Sequence, residues 1–173
     1  MIHIYCGDGK GKTTAAFGLA ARASEGGFAV IAAQFLKARP SGEVIAIGKL
    51  PNVTLLKADI PEAFSWNMTP QQRTAATAAH NDLIAQAKRC SRREGKIMLL
   101  LDELLGAMSA KLIDSEAVMD FLREQAGNDS IEIVITGRGP SEELLELADY
   151  VTEMKKIKHP FDKGVGMRKG IEY

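Results

Sequence analysis

Two hydrophobic rhythms alternate along the chain. Short apolar runs at residues 2–5, 28–35, 53–57, 97–101, 131–136 and 150–158 are bounded by turn residues and read as strands. Between them lie segments of helical period. One starts near Lys12 and stops at Gly26-Gly27, and a long alanine-rich one opens at Thr69-Pro70 and ends near Gly95. One or two more fill residues 104–126, and GRGPSEELLELA reads as a turn into another. The stretch around residues 40–42 reads as irregular and PEAFSWNMTP as loop. The run at 97–101 is continuously apolar, as in a strand buried on both faces. Strands alternating with helices predict an α/β fold, a mostly parallel sheet with helices on both faces, in a single domain over residues 1–173.

The first strand runs into CGDGKGKTT, the glycine-rich Lys-Thr pattern of a phosphate-binding loop. The usual spacing would put its first glycine where Cys6 stands, and counted from Gly7 the loop is one residue short. Backbone N–H groups from Gly7 to Thr13 would line the bend, at the positive end of a helix dipole. Lys12 supplies a mobile charge for phosphate oxygens and Thr13 a hydroxyl for Mg²⁺. The candidate nucleotide contacts are Gly7, Asp8, Gly9, Lys10, Gly11, Lys12, Thr13 and Thr14.

The strand LLLDE ends in Asp102 and Glu103. Either is placed to hold Mg²⁺ beside the loop, or merely to cap the helix that follows. Arg138 in ITGRGP also sits at a strand end, where it suits a triphosphate or pairs with a carboxylate such as Glu142. Arg22 and His159 are weaker candidates, and His3 and His80 read as packed or exposed. Nothing forms a constellation of nucleophile, base and orienter, so catalysis would come from positioning and charge stabilisation. Phe64 and Trp66, in the proline-bounded loop, read as a plug over the core or as an apolar platform for a flat ligand.

Composition adds mainly exclusions. Lys plus Arg, 22, equals Asp plus Glu, 22, so the charge balance asks for neither nucleic acid nor an anionic membrane. The basic runs RCSRR and KKIK read as solvated faces. Two cysteines, Cys6 and Cys90, make no disulfide framework or zinc spacing and fit a reducing cytoplasm. No leader or membrane-spanning run is expected.

Taken in order, GDGKGKTTAAFGLAARA, AQFLK followed by GE, FSW, LLLDE, ITGRG, LADYVTEM and KHPFDKGV with KGIEY resemble the ATP:corrinoid adenosyltransferases of the P-loop type. The resemblance runs from about Ile4 to Tyr173 and includes the shortened loop. It implies a RecA-like P-loop NTPase fold and transfer of the 5′-deoxyadenosyl group of ATP to cobalt(I) of a corrinoid, with release of triphosphate. Lys12 and Arg138 would be catalytic, Mg²⁺ would sit on Thr13 with Glu103 or Asp102, and Phe64 and Trp66 would pack against the lower face of the corrinoid. It also implies a reductase such as a flavoprotein as electron donor, a homodimer, and a corrinoid pocket without the N-terminal segment of longer relatives. Asp8 stands where some relatives have asparagine. The alternatives are a RecA-like ATPase or kinase, and a binding module without chemistry.

Overall fold

The computed structural model describes residues 1–38, 41–63 and 65–171. Strands β1 (Ile2–Cys6), β2 (Ala29–Gln34), β3 (Val53–Lys57), β4 (Ile97–Asp102), β5 (Ile131–Thr136) and β6 (Tyr150–Glu153) form one sheet, ordered β3-β2-β4-β5-β1-β6. Every strand pairing is parallel. Helices α1 (Lys12–Glu25), α2 (Gly42–Ile47), α3 (Pro70–Cys90), α4 (Leu104–Ser109), α5 (Ser115–Gln125) and α6 (Glu142–Leu147) connect them.

The period-2 geometry of a strand explains how β4 is covered on both sides. Met98 and Leu100 pack with Ala16, Phe17 and Ala20 of α1 and Ile47 of α2. Ile97, Leu99 and Leu101 pack with Leu83 and Ile84 of α3, Leu104 of α4, Leu122 of α5 and Leu144 of α6. The same alternation turns Asp102, the next even-numbered residue, toward the α1 side.

Helix α3 begins where Thr69-Pro70 predicts. The Thr69 hydroxyl accepts from the Gln72 N–H at 3.2 Å, and the Gln72 side-chain oxygen accepts from the Thr69 N–H at 2.9 Å. The helix ends at Cys90 rather than near Gly95. The segment 104–126 is two helices. Where the sequence around residues 40–42 reads as irregular, α2 starts at Gly42, six residues too short for its period to be legible. The last strand is four residues, not nine, because only Tyr150–Glu153 pair with β1. Among the described residues no helix is long and apolar enough to cross a membrane.

Beyond β6 the backbone presses against the glycine loop. The Met154 N–H donates to the Cys6 carbonyl at 2.8 Å and the Met154 carbonyl accepts from the Gly9 N–H at 2.6 Å. A Cβ on Gly9 would stand 2.6 Å from that carbonyl oxygen, whereas one on Gly18 of α1 would meet nothing within 4 Å. Gly9→Ala is expected to destabilise the fold by about 1–3 kcal/mol through this clash. Gly18→Ala, in an exposed helix interior, should stabilise it by about 0.5–1 kcal/mol. Urea unfolding of the two variants reads both signs.

Candidate nucleotide site

All strands point the same way, so β1, β2, β4 and β5 deliver their last residues to one edge, where open parallel sheets bind ligands. The register sets Gln34 beside Asp102, and Ile135 beside Leu101, so Thr136 flanks Asp102 on the other side. Asp102 is fully buried, and both of its oxygens are engaged. Oδ1 accepts from the Thr13 hydroxyl at 2.9 Å and the Thr136 hydroxyl at 2.8 Å. Oδ2 accepts from the Gln34 amide at 3.0 Å and the Lys37 ammonium at 3.2 Å. Asp102 is therefore an internal anchor that orients Thr13 by a direct hydrogen bond.

The loop begins one residue late because Cys6 still belongs to the sheet. It pairs with Glu153 and packs in the core, a small buried residue in the place of the usual glycine. Gly7 then turns with φ 105°, a conformation that L side chains avoid. Its close neighbour is again the Met154 carbonyl, 2.5 Å from where a Cβ would be. Helix α1 starts after Gly11 with no side chain capping its first-turn amides and no acid in its first turn. An uncapped N-terminus of a 14-residue helix offers N–H donors and positive potential to an anion.

Lys12 is buried inside this bend, its Nζ donating to the Gly9 carbonyl at 2.7 Å. Burial, and secondarily Arg138, push its pKa down, against the pull of Glu103 and Asp8. Lys10 is exposed. Asp8 turns its carboxylate to the Lys156 N–H at 2.9 Å, a bond that lowers its pKa. The Thr14 hydroxyl reaches Glu43 in the first turn of α2 at 3.5 Å.

Glu103 takes the left-handed region, φ 61°, and its N–H donates to the Thr136 hydroxyl at 2.8 Å, so the chain turns sharply before α4. Its carboxyl pKa is raised by burial first and by Asp102 second, while Lys37, Lys12 and Arg138 oppose the rise. Arg138 is exposed at the end of β5 and acts on Lys12, Asp8 and Glu103 through its field. No ion pair joins it to Glu142 among the described residues.

Among the described residues there is no cluster of three or more His, Cys, Asp or Glu side chains able to cage a metal. The hard oxygens of Thr13 and Glu103 nevertheless fit Mg²⁺, which is commonly bound by one or two protein oxygens plus substrate phosphates. A cation there would also relieve the partly buried Glu103 carboxylate.

Trp66 stands apart from the loop, in a short 3-10 turn (Ser65–Asn67) that leads into α3, and is 75% exposed. Phe64 lies outside the described residues. Arg73 of α3 fixes this turn, donating to the Ser65 carbonyl at 3.1 Å and the Ala110 carbonyl at 2.6 Å. A cavity of about 260 Å³ is lined by Leu36 and Ala38, just beyond β2, and by Pro61, Glu62 and Ala63, just before the turn in sequence.

Of the weaker candidates, Arg22 lines a cavity of about 350 Å³ with His3, Glu132 and Tyr150, at the opposite end of the strands. His159 accepts from the Phe161 N–H in its own local turn at 3.2 Å. Gln34, Lys37, Thr136 and Arg73 are not singled out by sequence. Gln34 and Thr136 carry a signal all the same, the first a lone polar residue near the end of the apolar run 28–35 and the second the polar residue that ends the run 131–136.

The family model for "ATP:corrinoid adenosyltransferase BtuR/CobO/CobP" matches residues 1–173. A corrinoid adenosyltransferase of Escherichia coli (strain K12) is 37% identical over 174 residues, covering all of this chain and 85% of the relative. One from Sinorhizobium sp is 36% identical, covering all of this chain and 80% of the relative. Corrinoid adenosyltransferase CobA of Salmonella typhimurium is 37% identical with 85% of its length covered. Among solved structures, the Aeropyrum pernix ORC2 protein aligns with a TM-score of 0.45 and 15% identity, over 91% of this chain and 42% of its own.

Glu103 gives the site a testable electrostatic cost. Its folded pKa is raised above the unfolded value, so its ionised form disfavours the native state. That cost is absent below the unfolded pKa, grows as pH rises through the window between the two values, and is fully present above the folded one. Glu103→Gln should therefore melt higher than the parent at neutral pH, with the gap closing on acidification below the ordinary carboxylate range. Calorimetric scans across that range measure it, and a variant that melts lower at neutral pH contradicts the assignment.

Proposed function

The chain belongs to the ATP:corrinoid adenosyltransferase family, and from that premise we propose that it transfers the 5′-deoxyadenosyl group of ATP to cobalt(I) of a corrinoid and releases triphosphate. The observation that carries the proposal is the buried Lys12 ammonium inside a glycine loop at an uncapped helix start, beside Thr13 and the Asp102-Glu103 turn.

In the proposed reaction the electron pair of cobalt(I) attacks C5′ of ATP. A cobalt–carbon bond forms, the C5′–oxygen bond breaks, and its electron pair leaves on the triphosphate. Cobalt(I) is already a strong nucleophile, so no protein base is required, in keeping with a site that presents charge and hydrogen-bond donors. The loop from Gly7 to Thr14 binds the triphosphate through its N–H groups other than that of Gly9, which donates to the Met154 carbonyl, while Lys12 neutralises charge on the leaving oxygens and Arg138 adds long-range positive field. Thr13 and Glu103 would hold Mg²⁺, with Asp102 orienting Thr13. When bound, the ion supplies charge neutralisation to the triphosphate.

Trp66, with Phe64, would cover the lower face of the corrinoid and keep a lower axial ligand off cobalt, which makes cobalt(II) easier to reduce. The exposure of Trp66, which leaves its ring open to a flat apolar ligand, supports this placement. The proposal includes a reductase such as a flavoprotein as electron donor, a homodimer, and a cytoplasmic setting compatible with the free thiols of Cys6 and Cys90.

After a single turnover with ATP, Mg²⁺ and chemically reduced corrinoid, phosphorus NMR should show triphosphate one-to-one with the adenosylated product. ADP as the corrinoid-dependent product would instead make the protein an ATPase or kinase of the same fold. Lys12→Ala should lower turnover roughly 10²–10³-fold, the worth of one preorganised contact to developing charge. Trp66→Ala should impair adenosylation that starts from cobalt(II) with a weak reductant and leave it largely intact when cobalt(I) is supplied. Equal loss under both conditions would assign Trp66 to packing.

A further inference from the structure

One buried titratable side chain has no part in the chemistry described so far. His80 lies in the middle of α3, fully buried, with its ring tilted against Phe35 at a centroid distance of 5.7 Å. Its ring nitrogens meet partners of opposite kind. Nε2 lies 3.2 Å from the N–H nitrogen of Leu36, and Nδ1 lies 2.9 Å from the carbonyl oxygen of Leu112. A backbone N–H only donates and a carbonyl only accepts, so Nδ1 carries the proton and Nε2 offers its lone pair. Burial pushes the pKa of the imidazole down and keeps it neutral.

The N–H that His80 accepts belongs to a special residue. Leu36 has φ 57°, in the left-handed region that a bulky L side chain avoids, and it stands two residues beyond Gln34, the buried end of β2. The next residue is Lys37, whose ammonium meets Asp102 Oδ2 at 3.2 Å. Asp102 Oδ1 in turn accepts from Thr13. On the other side His80 is fixed through Leu112 in the α4–α5 connection, which α3 also grips through Asn81, whose side chain accepts from the Asp114 N–H at 2.9 Å. A bulky apolar side chain in place of His80 would fill the same space and leave the Leu36 N–H without its acceptor.

We propose that His80 is a positioning residue of the nucleotide site: by accepting from the Leu36 N–H it fixes the left-handed turn that delivers Lys37 to Asp102, and through Asp102 it sets the Thr13 hydroxyl. The inference rests on the loop being the ATP site. Lys37 has two effects there. It holds Asp102 in the orientation that Thr13 needs, and it offsets one of two adjacent carboxylates at an edge that must accept a polyanion.

The test is a double-mutant cycle on ATP binding, measured by titration calorimetry of the full chain with ATP and Mg²⁺ and no corrinoid. Lys37→Gln is expected to weaken binding roughly tenfold, the loss of one charge-assisted hydrogen bond. His80→Leu should weaken it to a similar degree. Because both act through one contact, the double variant should bind within about twofold of the weaker single variant. Losses that multiply, or a His80→Leu protein that binds ATP like the parent, overturn the inference. A parent protein that fails to bind ATP overturns the site assignment itself, a distinct outcome. Nitrogen-15 NMR of the parent reads the tautomer without any substitution. A protonated Nδ1 and an unprotonated Nε2 on His80 are expected at pH 7, and the reverse tautomer or a charged ring refutes the proposed lock.

Discussion

The buried Asp102 carboxylate is the constraint on which the site depends. A charged group taken out of water costs several kcal/mol unless partners replace its hydration, and breaking such a set costs about 3–5 kcal/mol. Asp102 gathers four donors from four places: Gln34 at the end of β2, Thr136 at the end of β5, Thr13 at the start of α1, and Lys37 beyond β2. Each can reach it only if the three strands keep their register and α1 stays seated on the sheet. Satisfying one side chain therefore fixes the relative placement of the phosphate loop and the carboxylate edge, and stability and function share the same hydrogen bonds.

The parts of this arrangement that sequence makes legible are those that repeat. All six strands announce themselves as short apolar runs, and β4, apolar at five successive positions, betrays helices on both faces before any coordinates are seen. The loop is legible because glycine, lysine and threonine occur at fixed offsets. The Lys37–Asp102 contact spans 65 residues and the Thr13–Asp102 contact 89, and no local pattern encodes either distance. Asp102 and Glu103 look interchangeable as metal ligands in sequence. They differ only through strand parity, which buries the first toward α1, and through the left-handed turn that redirects the second. Helix α2 is too short to show a period, and β6 looks longer than it is because its apolar pattern continues past the end of β1.

Loop length follows from the same geometry. A sheet strand that carries on to Cys6 leaves fewer residues to reach Gly11, and the 154–156 backbone occupies the outer side of what remains. It takes the Gly9 N–H with a carbonyl and the Asp8 carboxylate with the Lys156 N–H. Glycine at 7 and 9 is a consequence of that contact as much as of any ligand, since a Cβ at either would meet the Met154 carbonyl oxygen. The negative charge at Asp8, which in sequence stands beside the phosphates, is thereby directed to the far side of the loop.

Charge placement across the edge suits a reaction that needs no general base. Lys12, Lys37 and Arg138 all act on Glu103, and two of the three are partly or wholly withdrawn from water, so their fields are less screened than those of surface lysines. Such an edge favours a group whose negative charge grows as the reaction proceeds. His80, the one fully buried imidazole, stands on the opposite face of the sheet with both nitrogens committed to backbone groups, so proton transfer is not available to it. In the proposed reaction the strand ends would hold and neutralise a polyanion while a nucleophile brought by the second substrate makes the new bond. In that proposed reaction selectivity would come from geometry: from the loop that positions the triphosphate, and from the turn at Leu36, which carries Lys37 and itself lines the apolar cavity.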